Sequence, residues 1–111
     1  MEPAAFTQLE SALLAEFLSL HESKGFPKLQ SLAVAKRENT GGGRYVSLRC
    51  STPCSMTDGY LDLGGKYIEM AGVPHGMMAV VLVKDGCPTE LEITVYGGYS
   101  WDGEEVTWSI K

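Results

Sequence analysis

Met77-Met78-Ala79-Val80-Val81-Leu82-Val83-Lys84-Asp85-Gly86-Cys87-Pro88-Thr89-Glu90-Leu91-Glu92-Ile93-Thr94-Val95-Tyr96 is the stretch whose reading decides the fold. Met77 to Val83 is nearly unbroken apolar sequence, far too short for a membrane span and the right length for a buried strand. It reads as a strand of about 77–84 that is central or covered on both faces. Lys84-Asp85-Gly86-Cys87-Pro88 turns the chain. In the following strand, about 89–96, Leu91, Ile93 and Val95 alternate with Glu90, Glu92, Thr94 and Tyr96, so one face is core and the other wet.

Upstream, the same alternation recurs. Arg44 to Ser51 sets Val46, Leu48 and Cys50 against Tyr45, Ser47 and Arg49. It is preceded by a weaker strand at about 29–37 and by Glu38-Asn39-Thr40-Gly41-Gly42-Gly43, which reads as a turn or mobile loop joining a hairpin. Residues 60–63 and 66–70 flank Gly64-Gly65 and suggest a second hairpin. Gly72 to Gly76 reads as a loop. Val106, Trp108 and Ile110 mark a last strand at about 105–110. Before all of these, Thr7-x-x-Glu10 is a capping box. Phe6, Leu9, Leu13, Leu14, Phe17 and Leu20 follow at helical spacing, with Glu10, Glu16, Ser19 and Glu22 mostly on the other side. The helix, about 7–24, stops near Gly25 and Pro27. The expectation is an α+β fold: an N-terminal amphipathic helix packed on an antiparallel sheet of about five to seven strands built from hairpins.

The chain's 111 residues, 44% hydrophobic and 21% charged, suit one globular domain, 1–111, with its own core. The net charge is −5, unevenly spread: residues 23–49 carry +5 and residues 85–110 carry −6, which predicts a dipolar molecule. The overall sign disfavours direct nucleic-acid binding. An acid at position 2, where a secretion signal carries bases, predicts no export signal; with an odd three cysteines and no membrane segment, this points to the cytoplasm. Core packing accounts for the five methionines and the apolar strand; a monomer or weak dimer is expected.

No catalytic constellation stands out. Cys50-x-x-x-Cys54 spaces two thiols, and neither Cys87, His75 nor His21 completes a zinc set by spacing. No nucleophile motif accompanies the histidines, which read as surface or loop residues. Gly41-Gly42-Gly43-Arg44 precedes a strand, whereas a phosphate loop precedes a helix. The reading is of a protein that is not an enzyme, without cofactor or metal. The binding signal lies at the end of the chain, where Tyr96-Gly97-Gly98-Tyr99-Ser100-Trp101-Asp102-Gly103-Glu104-Glu105 sets aromatic rings among glycines and carboxylates. Aromatic anchors with a charged rim make protein-binding surfaces. The candidate partner-binding residues are Glu90, Glu92, Tyr96, Tyr99, Trp101, Asp102, Glu104 and Glu105.

Arg49-Cys50-x-x-x-Cys54-Ser55, Asp85-Gly86, Leu91-Glu92-Ile93 and Tyr96-Gly97-Gly98 together resemble small bacterial immunity proteins of polymorphic toxin systems. The likeness runs over roughly the last two thirds of the chain, in short, hairpin-forming motifs. It implies an antitoxin that binds and occludes a cognate secreted toxin domain. The acidic face adds that this domain has a basic cleft, as in toxins acting on nucleic acid or nucleotides. Two other readings stand beside it: a small metal-binding or redox domain using Cys50 and Cys54, and an acidic adaptor subunit.

Overall fold

The capping box forms as the sequence requires. In the computed structural model, which describes residues 5–111, Thr7 Oγ1 accepts the Glu10 amide at 3.1 Å and Glu10 Oε1 accepts the Thr7 amide at 3.0 Å. The acidic opening Met1-Glu2-Pro3, on which the expectation of no export signal rests, lies outside the described residues. Helix α1 (Gln8–His21) buries Leu9, Leu13, Leu14 and Phe17 on one face. A 3₁₀ turn, Glu22–Lys24, tightens its end, and Gly25 stops it with φ 92°. No helix among the described residues is long and apolar enough to cross a membrane. Three helical residues depart from the expected pattern: Glu10, placed by periodicity on the polar side, is fully buried, His21 is buried too, and Leu20, placed on the apolar stripe, is exposed.

Seven strands follow: β1 (Leu32–Asn39), β2 (Gly43–Cys50), β3 (Gly59–Leu61), β4 (Ile68–Met70), β5 (Val73–Lys84), β6 (Cys87–Val95) and β7 (Trp108–Ile110). They form one antiparallel sheet in the order β1-β2-β6-β5-β4-β7, with β3 also paired to β5. The fold is α+β, a helix on a seven-stranded antiparallel sheet.

The spine is β5. It pairs with β6 along one edge, from Met77↔Val95 to Lys84↔Cys87. Its other edge takes β4 first (Met70↔Val73, Ile68↔Met77) and then β3 (Leu61↔Val81, Gly59↔Val83). The expected hairpin of 60–63 with 66–70 therefore does not form. At 12 residues, β5 offers an edge long enough to seat both short strands end to end. Gly64 and Gly65, at φ 65° and 88°, carry the chain along that edge instead of folding it back, with Asp62 Oδ1 accepting the Gly64 amide. The tight hairpin lies at Ala71-Gly72. Nor is Gly72–Gly76 simply a loop: β5 begins at Val73. Pro74 is tolerated near the strand's start, and Gly76 sits where the β4–β5 register shifts. A Cβ at Gly76 would lie 2.6 Å from the Ile68 carbonyl oxygen.

Residues 29–31 form a 3₁₀ turn, so β1 starts later than expected and runs to Asn39. A bulge between Val34 and Lys36 changes its phase. Before it Leu32 and Val34 face the core; after it Arg37 and Asn39 take that side at its margin, opposite Val46 and Arg44, and Asn39 is exposed. The last strand is only three residues and pairs with β4 at the far edge.

The core lies between α1 and one face of the sheet, where Val46, Leu91, Ile93, Val81 and Ile68 meet Leu9, Leu13 and Phe17. No helix among the described residues covers the opposite face. The extents, 39 × 36 × 19 Å, are those of a two-layer slab.

Candidate functional site

The eight residues singled out by sequence do not share one surface. Trp101 is buried at 5% exposure, its indole N–H donating to the Glu104 carbonyl at 2.8 Å and its amide to the Gly41 carbonyl at 2.8 Å. Glu105 is also drawn inward. Its Oε1 accepts the Leu9 amide at 3.1 Å, satisfying a free N–H in the first turn of α1, and its Oε2 accepts Arg44 Nη1 at 2.5 Å. These two residues bind the chain's own tail to the fold and are not available as surface anchors. Asp102 and Glu104 remain exposed, with Asp102 Oδ1 turning the loop by accepting the Glu104 amide.

The tail closes over a buried charge cluster. Glu10 receives Arg37 through Nε at 2.7 Å and Nη2 at 2.6 Å, and Arg44 Nη1 at 3.1 Å. Arg44, 3% exposed, also donates to Asn39 Oδ1 and the Gly103 carbonyl and lies 4.7 Å from the Trp101 ring centre. Burial pushes the Glu105 pKa up, but hydrogen bonds from Thr7, Arg44 and the Leu9 amide outweigh it and hold the pKa below the usual carboxylate range. The cluster ties α1, β1, β2 and the tail to one another, a structural clasp.

Glu90 and Glu92 stand on the uncovered face. In one row across the sheet Tyr45 opposes Glu92, which opposes Val80; in the next, Ser47 opposes Glu90, Glu90 opposes Leu82 and Leu82 opposes Tyr60. Neither carboxylate has a salt-bridge partner among the described residues. Partial burial raises the Glu90 pKa, reinforced by the adjoining Glu92 carboxylate, and the charge of Glu92 raises that of the Tyr60 hydroxyl. The Tyr60 shift reflects the negative charge of Glu92, and the Glu90 shift reflects burial first and the Glu92 carboxylate second. Tyr45 and Tyr60 are well exposed beside the pair, and Lys36 lies at the margin. Tyr96 is also exposed and lines a shallow depression with Tyr67, His75, Met78 and Val80. Tyr99 tilts against His75 at 5.3 Å between ring centres. The face thus keeps Glu90, Glu92 and Tyr96 from the expected set and adds Tyr45, Tyr60 and Tyr67. Tyr45 could be read from its alternation with Val46; Tyr60 and Tyr67 could not, because their place depends on how β3 and β4 dock.

Of the histidines, His75 is exposed as expected, but His21 is buried, with Nε2 at 2.9 Å from the Asp62 carbonyl and its ring stacked on Phe17. The cysteines converge. The Cys50 and Cys54 sulfurs are 3.4 Å apart, and with Cys87 the three lie within 4.8 Å of one another. No family model, curated protein or solved structure matches this chain.

Proposed function

We propose that this chain is an immunity protein that binds a cognate secreted toxin domain and covers its basic cleft with the uncovered face of the sheet. What supports the reading is the pair Glu90 and Glu92, unpaired with any base among the described residues and bordered by Tyr45 and Tyr60 on a face that no helix covers. Carboxylates flanked by rigid aromatic rings capture Lys and Arg side chains. Toxins that act on nucleic acid or nucleotides hold phosphates in basic clefts, and an acidic face steers toward such a cleft and blocks it. Inhibition of this kind requires no reaction by the immunity protein.

The test is co-expression with a candidate secreted toxin domain, the neighbouring genes being the first place to look for one. Glu90→Lys/Glu92→Lys/Tyr60→Ala should fold and lose protection, whereas Asp102→Asn/Glu104→Gln, on the tail loop, should still protect. Full protection by the folded triple variant would remove the uncovered face from the mechanism.

A further inference from the structure

We infer that Cys50, Cys54 and Cys87 form a thiolate site for a zinc ion, with three protein ligands and a fourth position open to water or an exogenous ligand. Sequence spacing joins only Cys50 and Cys54; the fold brings in the third sulfur. Cys50 ends β2, Cys87 opens β6 after the β5 turn, and Cys54 lies in the segment between β2 and β3. Hydrogen bonds hold these pieces together: β2 pairs with β6, the Met56 amide donates to the Gly86 carbonyl at 2.9 Å, and the Gly86 amide donates to Asp58 Oδ1 at 2.9 Å. Gly86 has no Cβ, and one would stand 3.0 Å from the Cys54 carbonyl oxygen, so the turn can approach the cysteine segment this closely.

The dimensions suit the ion. Tetrahedral zinc with Zn–S bonds of about 2.3 Å spaces its sulfurs about 3.8 Å apart. The thiols here are 3.4 Å apart for Cys50 and Cys54 and within 4.8 Å for all three, so closing on the ion needs shifts of about 1 Å or less. All three cysteines are only half-buried, with Cys50 against the margin of the core, so solvent and an ion can reach the cluster. His75 plays no part, since it packs on Tyr99 just beyond the opposite end of β6, about 25 Å from Cys87 along the strand.

The experiment uses the full chain, purified under reducing conditions, stripped with a chelator and titrated with zinc against a chromophoric competitor; cobalt replaces zinc in a parallel sample. One ion per chain, cobalt–thiolate charge-transfer bands and a rise in Tm on zinc addition support the site. Loss of an outer-shell partner weakens metal binding about 10–100-fold, so Cys54→Ser and Cys87→Ser should each weaken it by at least about 100-fold. Absence of the cobalt–thiolate bands in the wild-type chain overturns the inference even if a variant fails to fold. So does unchanged affinity in the Cys87→Ser variant, or a Cys50–Cys54 disulfide that persists under the reducing conditions of the purification.

Discussion

Glu10 carries three duties at once: it closes the capping box, receives Arg37 through two bonds and receives Arg44. Glu10→Ala removes half the cap, leaves Arg37 without a carboxylate and leaves the nearly buried Arg44 with Glu105 alone. Breaking a buried pair from one side costs about 3–5 kcal/mol, and urea denaturation should read a loss in that range. Glu105 makes a pH-dependent contribution. Its folded pKa lies below the ordinary 4.5, so the stability it supplies is complete above that value and is lost as the pH falls through the folded one. The Tm difference between wild type and Glu105→Gln should therefore be widest at neutral pH and shrink toward zero in acid; a constant difference would show that the Glu105 charge does not matter. Glu90 has the opposite sign: its raised pKa favours the protonated folded form and weighs against folding as the pH rises through that value. The capping box was legible in Thr7-x-x-Glu10 because it is local. The burial of Glu10 was not, because it requires the phase change at the β1 bulge and a tail returning from 95 residues away at Glu105.

At the scale of elements, the alternation that predicted β2 and β6 holds because each strand has one face on α1 and the other uncovered. The apolar run at Met77–Val83 is central, as its composition predicts, although Val80 and Leu82 are half-buried on the uncovered side. Short strands were less legible. For β3 and β4 the sequence offers a glycine pair that suits a hairpin, but the pairing is decided by the free edge of β5, a non-local competitor. The glycine run before β2 illustrates the same limit. It makes a hairpin connection as expected, yet it is a docking point for the tail instead of a mobile loop: the Gly42 carbonyl accepts the Val95 amide at 2.9 Å, and Gly41 accepts that of Trp101. Within the run, a Cβ on Gly43 would fall 1.9 Å from the Ile93 carbonyl oxygen, whereas one on Gly42 would meet nothing within 4 Å. Gly43→Ala must push β2 from β6 and should cost at least about 3 kcal/mol, while Gly42→Ala should stay within about 0.5 kcal/mol of wild type. Equal denaturation midpoints for the two variants would contradict the observed β2–β6 contact.

For the whole molecule, the segment totals of +5 in residues 23–49 and −6 in residues 85–110 suggested two opposed poles. Folding cancels part of that contrast internally, since Arg37 and Arg44 are spent on Glu10 and Glu105. What reaches the surface depends on topology. Because β7 pairs with β4 and not with β6, the tail crosses the covered side of the sheet and takes Trp101 and Glu105 with it. Glu90 and Glu92 are left on the bare side, in central strand β6, where a docking partner meets a broad slab instead of an edge. Placement matters for association, because charges at the centre of an interface steer encounter more than equal charges on a remote loop. For the proposed basic partner, the association rate should fall about tenfold in Glu90→Lys/Glu92→Lys at low salt, and the difference should narrow as salt screens the face. Asp102→Lys/Glu104→Lys makes the same change in net charge on the tail loop and should leave the rate nearly unchanged. If stopped-flow binding shows the two pairs slowing association equally, net charge alone governs the encounter and the uncovered face has no special part in it.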